Sequence, residues 1–173
     1  MAAVIGMEQA FLNEICQQTN TVIANLNSPG QLIISGATEN IAKATELAKT
    51  KGSRVMPLAV SGAFHSPLMQ PAVEGMAQIL EKTTFRNPIV PIISNVTAQP
   101  LTDARQFKDE LLQQLTSGVQ WQKSVEYMVA QGVMSYYEIG AGKVLAGLLK
   151  RINKEIEVVN IGDVAGVKAL ANT

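Results

Sequence analysis

The chain contains one histidine, His65, and its type and position make it the first candidate for chemistry. It follows an apolar run at residues 55–60, which predicts a strand, and it precedes Ser66-Pro67, a pair that is typical of a helix start. A histidine between a strand and a helix is well placed to move protons at the mouth of a pocket. A single histidine can equally be a structural residue with its hydrogen bonds satisfied, so both interpretations stay open at this point.

Acyl transfer with a histidine base also requires a nucleophile, which is typically a serine within Gly-x-Ser-x-Gly. That pattern does not occur in the 173 residues. Ser61 and Ser66 flank the histidine, but sequence neighbours rarely reach attack geometry, and Ser66 is better explained as a helix cap. Cys16 falls on the apolar face of a predicted helix, which is typical of a packed residue. The sequence therefore offers a base without an evident nucleophile.

The elements that position these residues begin with a regular series over residues 1–60. Apolar and β-rich runs predict strands at residues 2–5, 21–26, 31–35 and 54–60. Helical periodicity predicts one helix over residues 8–19 and a second that Thr38 caps and Gly52 ends, and residues 27–30 predict a turn. The order βαββαβ is that of a ferredoxin-like unit. We therefore expect a small ferredoxin-like subdomain over residues 1–60.

Residues 61–173 show a different alternation of strands and helices. Strands are predicted at residues 89–94, 135–139 and 156–161. Helical stripes lie at residues 69–80, 103–115, 121–131 and 144–152. Strands that are separated by helices of this length pair in parallel, with the helices covering the sheet. The expected fold class is therefore α/β, with residues 61–173 forming a second, larger domain segment.

Composition limits the classes of function. Lysine plus arginine equals aspartate plus glutamate at 14 each, so the zero net charge removes the electrostatic case for nucleic acid or an anionic membrane surface. No apolar run reaches the ~20 residues that a membrane-spanning helix needs. The single cysteine excludes an internal disulfide, and no metal site is expected because zinc-ligand spacing is absent. Residues 1–6 do not resemble a signal peptide, so we expect a cytoplasmic protein.

Four spaced segments carry a resemblance to a known family. They are NLNSPGQ at residues 25–31, GAFHSPLM at 62–69, VQWQKSV at 119–125 and YEIGAGKVL at 137–145. In this order they resemble the malonyl-CoA–acyl carrier protein transacylase family of fatty acid synthesis, and the bacterial stand-alone enzymes in particular. The resemblance extends over residues 1–163 but matches only the carboxy-terminal part of the family's domain. The family's oxyanion loop, serine elbow and carboxylate-binding arginine have no counterpart in this sequence.

The resemblance implies that the ferredoxin-like subdomain is inserted into an α/β-hydrolase-like core, of which residues 61–173 form the carboxy-terminal part. It implies transfer of a malonyl group from malonyl-CoA to the phosphopantetheine thiol of acyl carrier protein, with His65 as general base and without a cofactor. These two substrates are the expected partners, together with a complementing amino-terminal half or self-association. We expect the chain by itself to be inactive, because the serine nucleophile is lacking.

The resemblance also assigns roles to two residues beside the histidine. The backbone carbonyl of Gln114 would orient His65 in place of the usual carboxylate, although a glutamine that ends a helix explains that position equally well. Phe64 would favour malonyl over branched malonyl units, because its ring leaves no room for an extra methyl group. A plain core position for Phe64 is the alternative.

Five further residues resemble ligands of the two substrates. Asn25, Asn27 and Gln31 would line the cleft beside the thioester and pantetheine, although all three also suit a turn without a ligand. Arg54 and Lys150 would bind the phosphates of coenzyme A, unless they are ordinary surface charges.

A second hypothesis belongs to a different class of function. The chain could be a non-catalytic module that uses the same fold to bind carrier protein or coenzyme A. The joint presence of His65, Phe64 and Gln114 favours the transferase, because a module freed from catalysis would have no reason to keep all three.

Overall fold

The computed structural model describes residues 1–171, and the chain divides into two compact units, Met1–Ser124 and Val125–Thr173. The predicted boundary after residue 60 lies inside the first unit and stays a prediction. Among the residues described, no helix combines the length and the apolar character that crossing a membrane requires.

Within residues 1–57 the strands form a four-stranded sheet in the order β2-β3-β1-β4. Its strands are β1 (Ala2–Ile5), β2 (Val22–Ser28), β3 (Gln31–Ser35) and β4 (Arg54–Pro57). Helix α1 (Gln9–Thr19) connects β1 to β2, and α2 (Thr38–Thr50) connects β3 to β4. Neither helix connects two neighbouring strands of the sheet. The three neighbouring pairs, β2 with β3, β3 with β1 and β1 with β4, are all antiparallel. The predicted order of strands and helices over these residues is confirmed.

The face of this sheet that α1 and α2 cover forms the main core of the first unit. Val4, Leu12 and Ile34 are fully buried there, and burial of each such side chain stabilises the fold by ~1.5–3 kcal/mol. Because side chains alternate along a strand, the residues between them point to the opposite face, where Ala3 and Ile33 belong to a smaller cluster. The core is aliphatic, as the composition predicts.

Three element ends in this sheet differ from the prediction. Strand β2 continues to Ser28, so the turn is confined to the two residues before β3. Strand β4 ends at Pro57, opposite Ala2 at the start of its antiparallel partner β1, with one further backbone bond from Leu58 N to Met1 O. The cap position of α2 is Ala37, whose side chain cannot accept a hydrogen bond, so Thr38 lies inside the helix.

Residues 61–124 complete the first unit with short strands and longer helices. A 3-10 turn at Pro67–Met69 leads into α3 (Gln70–Glu81), which is followed by β5 (Ile92–Ile93), β6 (Pro100–Leu101), α4 (Arg105–Thr116) and α5 (Trp121–Ala130), which runs into the second unit. The expectation of a long parallel strand at residues 89–94 is wrong: β5 has two residues and pairs antiparallel with β6. The connection between them is too short for a parallel crossover.

Within residues 125–171, β7 (Ser135–Ile139) and β8 (Glu157–Ile161) form a parallel pair. Helix α6 (Val144–Ile152) makes the crossover between them, so the predicted parallel pairing is confirmed for these two strands. Helix α7 (Val164–Ala171) follows and was not predicted. Tyr137, Ile139 and Val159 alternate to one face of this sheet and are exposed.

Candidate functional site

His65 lies between β4 and the 3-10 turn in a left-handed backbone conformation, with a φ of 55°. This conformation is uncommon for residues other than glycine, costs ~1–3 kcal/mol and persists where the surroundings enforce it. The next residue supplies that enforcement: the Ser66 hydroxyl donates to Ala63 O at 2.6 Å and accepts from Leu68 N at 3.3 Å. The prediction that Ser66 is a cap is therefore confirmed, and its hydroxyl is committed to the backbone.

The imidazole of His65 contacts the carboxyl end of α4. Its Nδ1 lies 2.9 Å from the backbone carbonyl oxygen of Gln114, which is 49 residues away in the sequence. That carbonyl belongs to the last turn of α4, where the helix itself leaves carbonyl groups without partners. Because a carbonyl can only accept, Nδ1 carries the proton, and Nε2 of the neutral ring keeps its lone pair. The arrangement presents Nε2 as the basic atom.

A cavity of about 110 Å³ adjoins the imidazole. It is lined by Phe64, His65, Met69, Met76, Leu111, Gln114 and Leu115. Small-molecule sites typically measure ~300–1,000 Å³, so this space accommodates a chemical group rather than a whole coenzyme A thioester. Phe64 is 39% exposed in this chain, and its role in selecting the acyl group stays a prediction. Five of the seven lining residues are apolar.

The loop between β5 and β6 holds the side chain of Gln114. Asn95 in this loop donates from Nδ2 to Gln114 Oε1 at 3.2 Å. Ser94 closes the loop, because its hydroxyl accepts from the amides of Val96 and Thr97 and donates to Glu110 Oε2 at 2.6 Å. Sequence reasoning missed Asn95 and Glu110. The signal that could have found the loop is the Ser-Asn-x-Thr series directly after an apolar run, which is typical of a turn.

The segment that follows α4 joins this loop to β2. Val119 exchanges two backbone hydrogen bonds of 2.8 Å with the strand, at Ala24 O and Leu26 N, and lies opposite Asn25. Gln120 N donates to Asn95 O at 2.7 Å. Gly118 passes so close to β2 that an added Cβ would lie 2.5 Å from Ile23 O. Backbone contacts therefore connect the surroundings of His65 to the edge strand that carries Asn25.

A family assignment agrees with this geometry. The profile of the acyl transferase domain family matches residues 1–168. The chain belongs to the acyl transferase domain family. It is 41% identical over 169 residues to the malonyl CoA-acyl carrier protein transacylase of Bacillus subtilis (strain 168), which covers 94% of this chain and 53% of that protein. It is 45% identical over 157 residues to the transacylase of the same name from Escherichia coli (strain K12), covering 88% and 51%.

Solved structures of acyl transferases have the same α/β fold, which confirms the predicted fold class. An acyl-carrier-protein-S-malonyltransferase from Bartonella henselae superposes with a TM-score of 0.93 at 40% identity, covering 99% of this chain and 56% of that one. A malonyl-transacylase in complex with its type II PKS acyl-carrier protein gives a TM-score of 0.94 at 34% identity, covering 99% and 58%. The chain spans about half the length of the curated relatives that it matches.

The three predicted cleft residues lie in strands rather than in a turn. Asn25 and Asn27 belong to β2, and Gln31 begins β3, where it pairs with Ile5 and Ser28. All three are half-buried. The explanation of these residues as turn formers is therefore wrong, whereas their role as cleft ligands stays a prediction.

The two predicted phosphate ligands lie on different elements. Arg54 begins β4, an edge strand, and is exposed. Lys150 lies in the last turn of α6, where its Nζ donates to Lys154 O at 3.3 Å. A basic residue in that position also stabilises the helix end, so binding of coenzyme A by either residue stays a prediction.

The segment YEIGAGKVL at residues 137–145 contains the start of α6. The Glu138 carboxylate accepts from the amides of Leu145 and Ala146, both at 2.9 Å, and from Asn160 Nδ2 at 2.6 Å. Desolvation acts to raise the pKa of Glu138, but these hydrogen bonds outweigh it, so the pKa lies below the ordinary glutamate value. Two of the amide groups in the first turn of α6 thus donate to the carboxylate of Glu138.

The single cysteine of the chain, Cys16, is buried. Burial raises the pKa of the Cys16 thiol, although a hydrogen bond with Thr21 opposes the shift, so the thiol form is favoured. Within residues 1–171, no group of three or more histidine, cysteine, aspartate or glutamate side chains could hold a metal ion.

Proposed function

We propose that this chain is the histidine-bearing part of a malonyl-CoA–acyl carrier protein transacylase. The contact of 2.9 Å between His65 Nδ1 and the Gln114 carbonyl carries the proposal, because it directs the basic Nε2 away from the helix end. The names of the relatives supply the substrates: malonyl-CoA as donor and acyl carrier protein as acceptor. No cofactor enters the proposed reaction.

In the proposed first step, a serine hydroxyl from outside these 173 residues attacks the malonyl thioester. His65 Nε2 accepts the hydroxyl proton and passes it to the departing sulfur of coenzyme A, which leaves a malonyl-serine ester. In the second step, the phosphopantetheine thiol of the carrier protein gives its proton to Nε2 and attacks the ester. The proton then returns to the serine oxygen, and His65 ends as it began. The chain by itself is inactive under this proposal.

We assign the remaining predicted residues to substrate recognition. Phe64, which is partly exposed beside the His65 cavity, selects malonyl over branched units, and such a pocket distinguishes one methyl group by ~1–3 kcal/mol. Asn25, Asn27 and Gln31 line the cleft for the thioester and pantetheine. Asn25 and Asn27 lie on the strand that Val119 ties to the histidine surroundings, and Gln31 lies on its neighbour, which supports this assignment. Arg54 and Lys150 bind phosphate groups of coenzyme A.

The proposed architecture is a ferredoxin-like subdomain at residues 1–60 and part of an α/β-hydrolase-like core at residues 61–173. The antiparallel order β2-β3-β1-β4 supports the first assignment. The exposed apolar face of β7 and β8 supports the second, because parallel sheets are usually covered on both faces. We propose that a complementing amino-terminal half, or self-association, covers this face. A cytoplasmic location is proposed on the same functional grounds.

The test is transfer of radiolabelled malonyl from coenzyme A to carrier protein. The chain is assayed alone and mixed with a separately expressed amino-terminal half of the Bacillus subtilis relative. We expect activity in the mixture only, and a loss of ~10²–10⁴-fold with His65→Ala. Asn13→Ala, on the exposed side of α1, is the control and keeps full activity. Activity of the chain alone, or silence of two halves that fold and associate, would contradict the proposal; the second result would favour a non-catalytic binding module.

A further inference from the structure

We propose that Asn95 is a positioning residue that orients His65 through Gln114. The inference rests on the proposed function, in which His65 is the base. Asn95 does not contact the imidazole; it donates from Nδ2 to the Gln114 side chain, and the Gln114 backbone carbonyl accepts from His65 Nδ1. The three residues therefore form a series of hydrogen bonds that ends on the basic ring.

The Gln114 carbonyl lies near a helix end, where the backbone is least constrained. Gln114 lies two residues before the end of α4, in the turn where helices fray. An imidazole bound to a carbonyl of a fraying turn would follow every movement of that turn. The contact of 3.2 Å from Asn95 fixes the same residue from its side chain, so the direction of the carbonyl is held as well.

Asn95 lies in a loop that two side chains of α4 hold. Glu110 and Gln114 are four residues apart on α4, so their side chains share one face of the helix. Glu110 accepts from the Ser94 hydroxyl and from Val96 N, while Gln114 accepts from Asn95. The carboxylate of Glu110 and the carboxamide of Gln114 thus hold the same loop. The loop cannot turn without breaking both contacts.

Asn95 is also held by its backbone. Its carbonyl accepts from Gln120 N at 2.7 Å, directly after the segment that Val119 ties to β2. Asn95 therefore stands between the histidine and the strand that carries the predicted cleft residue Asn25. A helix-end glutamine without this support would position a base poorly, and displacement of a catalytic group by 1 Å can lower a rate ~100-fold.

The experiment measures the tautomer of His65 in the chain alone, which requires no catalysis. Because the chain has one histidine, ¹⁵N labelling of histidine gives the signals of a single imidazole. Long-range ¹H–¹⁵N correlation spectra, recorded at a pH where the ring is neutral, then report the ratio of the Nδ1–H form to the Nε2–H form. We expect the Nδ1–H form to dominate in the unmodified chain. Asn95→Ala lowers the ratio about threefold or more, as expected when a supporting hydrogen bond is lost.

Three further variants make the result specific. Gln114→Ala keeps the backbone carbonyl but removes the side chain that Asn95 holds, so it lowers the ratio as Asn95→Ala does, and the double variant falls no further. Asn95→Asp keeps the ratio, because the Gln114 amide can turn its NH₂ group towards the carboxylate. Asn13→Ala, the matched asparagine control on α1, keeps it as well. Should Asn95→Ala not fold, Gln114→Ala gives the deciding ratio.

An unchanged tautomer ratio in folded Asn95→Ala and Gln114→Ala would overturn the proposal. In the active mixture of both halves, Asn95→Ala should lower kcat roughly 10- to 100-fold with KM for malonyl-CoA unchanged. A rise in KM with kcat unchanged would also overturn it, since that result indicates a role in binding. If the unmodified mixture is inactive, the proposed function fails, and the tautomer ratio alone decides whether Asn95 positions the ring.

Discussion

Two regions of this chain place a polar side chain against the end of a helix, with opposite consequences. His65 meets the carboxyl end of α4 through a single hydrogen bond from Nδ1 to the Gln114 carbonyl. Glu138 meets the amino end of α6 and accepts three hydrogen bonds, from two amides and from Asn160. The first contact leaves the second ring nitrogen available to the reaction, whereas the second uses the carboxylate to satisfy the helix.

The difference separates a site for chemistry from a structural cap. A reactive group needs one atom held and another atom uncommitted, together with a backbone that enforces its position; His65 has a φ of 55° and the Ser66 cap beside it. A cap needs its acceptors occupied, and the hydrogen bonds that occupy the Glu138 carboxylate also lower its pKa below the ordinary glutamate value. The comparison predicts that changes at the two regions affect different properties.

The largest expected effect is on activity at the first region. His65→Ala should lower malonyl transfer in the reconstituted mixture ~10²–10⁴-fold, because the general base is lost. The free energy of unfolding should change by less than ~1.5 kcal/mol, since one hydrogen bond disappears. Transfer rates and urea unfolding of the same preparations measure both. If His65→Ala is strongly destabilised but keeps its specific activity, the proposed difference between a reactive site and a structural cap is contradicted.

A second prediction concerns the backbone frame of the first region. Gly118→Ala should lower the free energy of unfolding by ~1–3 kcal/mol, because its Cβ would lie 2.5 Å from Ile23 O and the strand must shift. Gly75→Ala is the matched control on the exposed side of α3, where nothing lies within 4 Å, and should stabilise by ~0.5–1 kcal/mol. Urea unfolding measures both. Equal effects of the two substitutions would mean that Gly118 does not tie β2 to the loop.

A third prediction concerns the cap of the second region. Glu138→Ala removes the acceptor of two amides and of Asn160, so it should lower Tm measurably. Glu138→Gln keeps one acceptor oxygen and should lower Tm less. Calorimetry gives the two values. Malonyl transfer by the folded variants should stay at the unmodified rate, and a loss comparable to that of His65→Ala would show that Glu138 acts in catalysis.

The smallest expected effect is a dependence of stability on pH. The pKa of Glu138 is lower in the folded chain than in the unfolded one, so its contribution is present above the ordinary glutamate range and is lost as the pH falls through the folded value. Asp103, whose pKa Arg105 lowers to about 2, loses its contribution as the pH falls towards that value. Urea midpoints between pH 7 and pH 3 should fall less in Glu138→Gln than in the unmodified chain. Parallel curves would contradict this.

Local patterns predicted most of the elements and part of the site. The Ser66-Pro67 pair predicted the cap beside His65, and periodicity predicted the βαββαβ order and the parallel pairing of β7 with β8. These features depend on residues close in sequence or on one regular period, which a single chain displays directly. The antiparallel pairing of β5 with β6 was missed, because an apolar run does not specify its partner.

The sequence by itself determined which residue could act as a base, where its flanking cap lies and to which family the chain is similar. Only the tertiary structure decided which nitrogen of that base is held, because the Gln114 carbonyl comes from a helix 49 residues away. The same is true of Asn95, which reaches Gln114 across 19 residues. Caps and periods arise from neighbouring residues, whereas hydrogen bonds between distant segments exist only once the packing of helices and loops has set their distance.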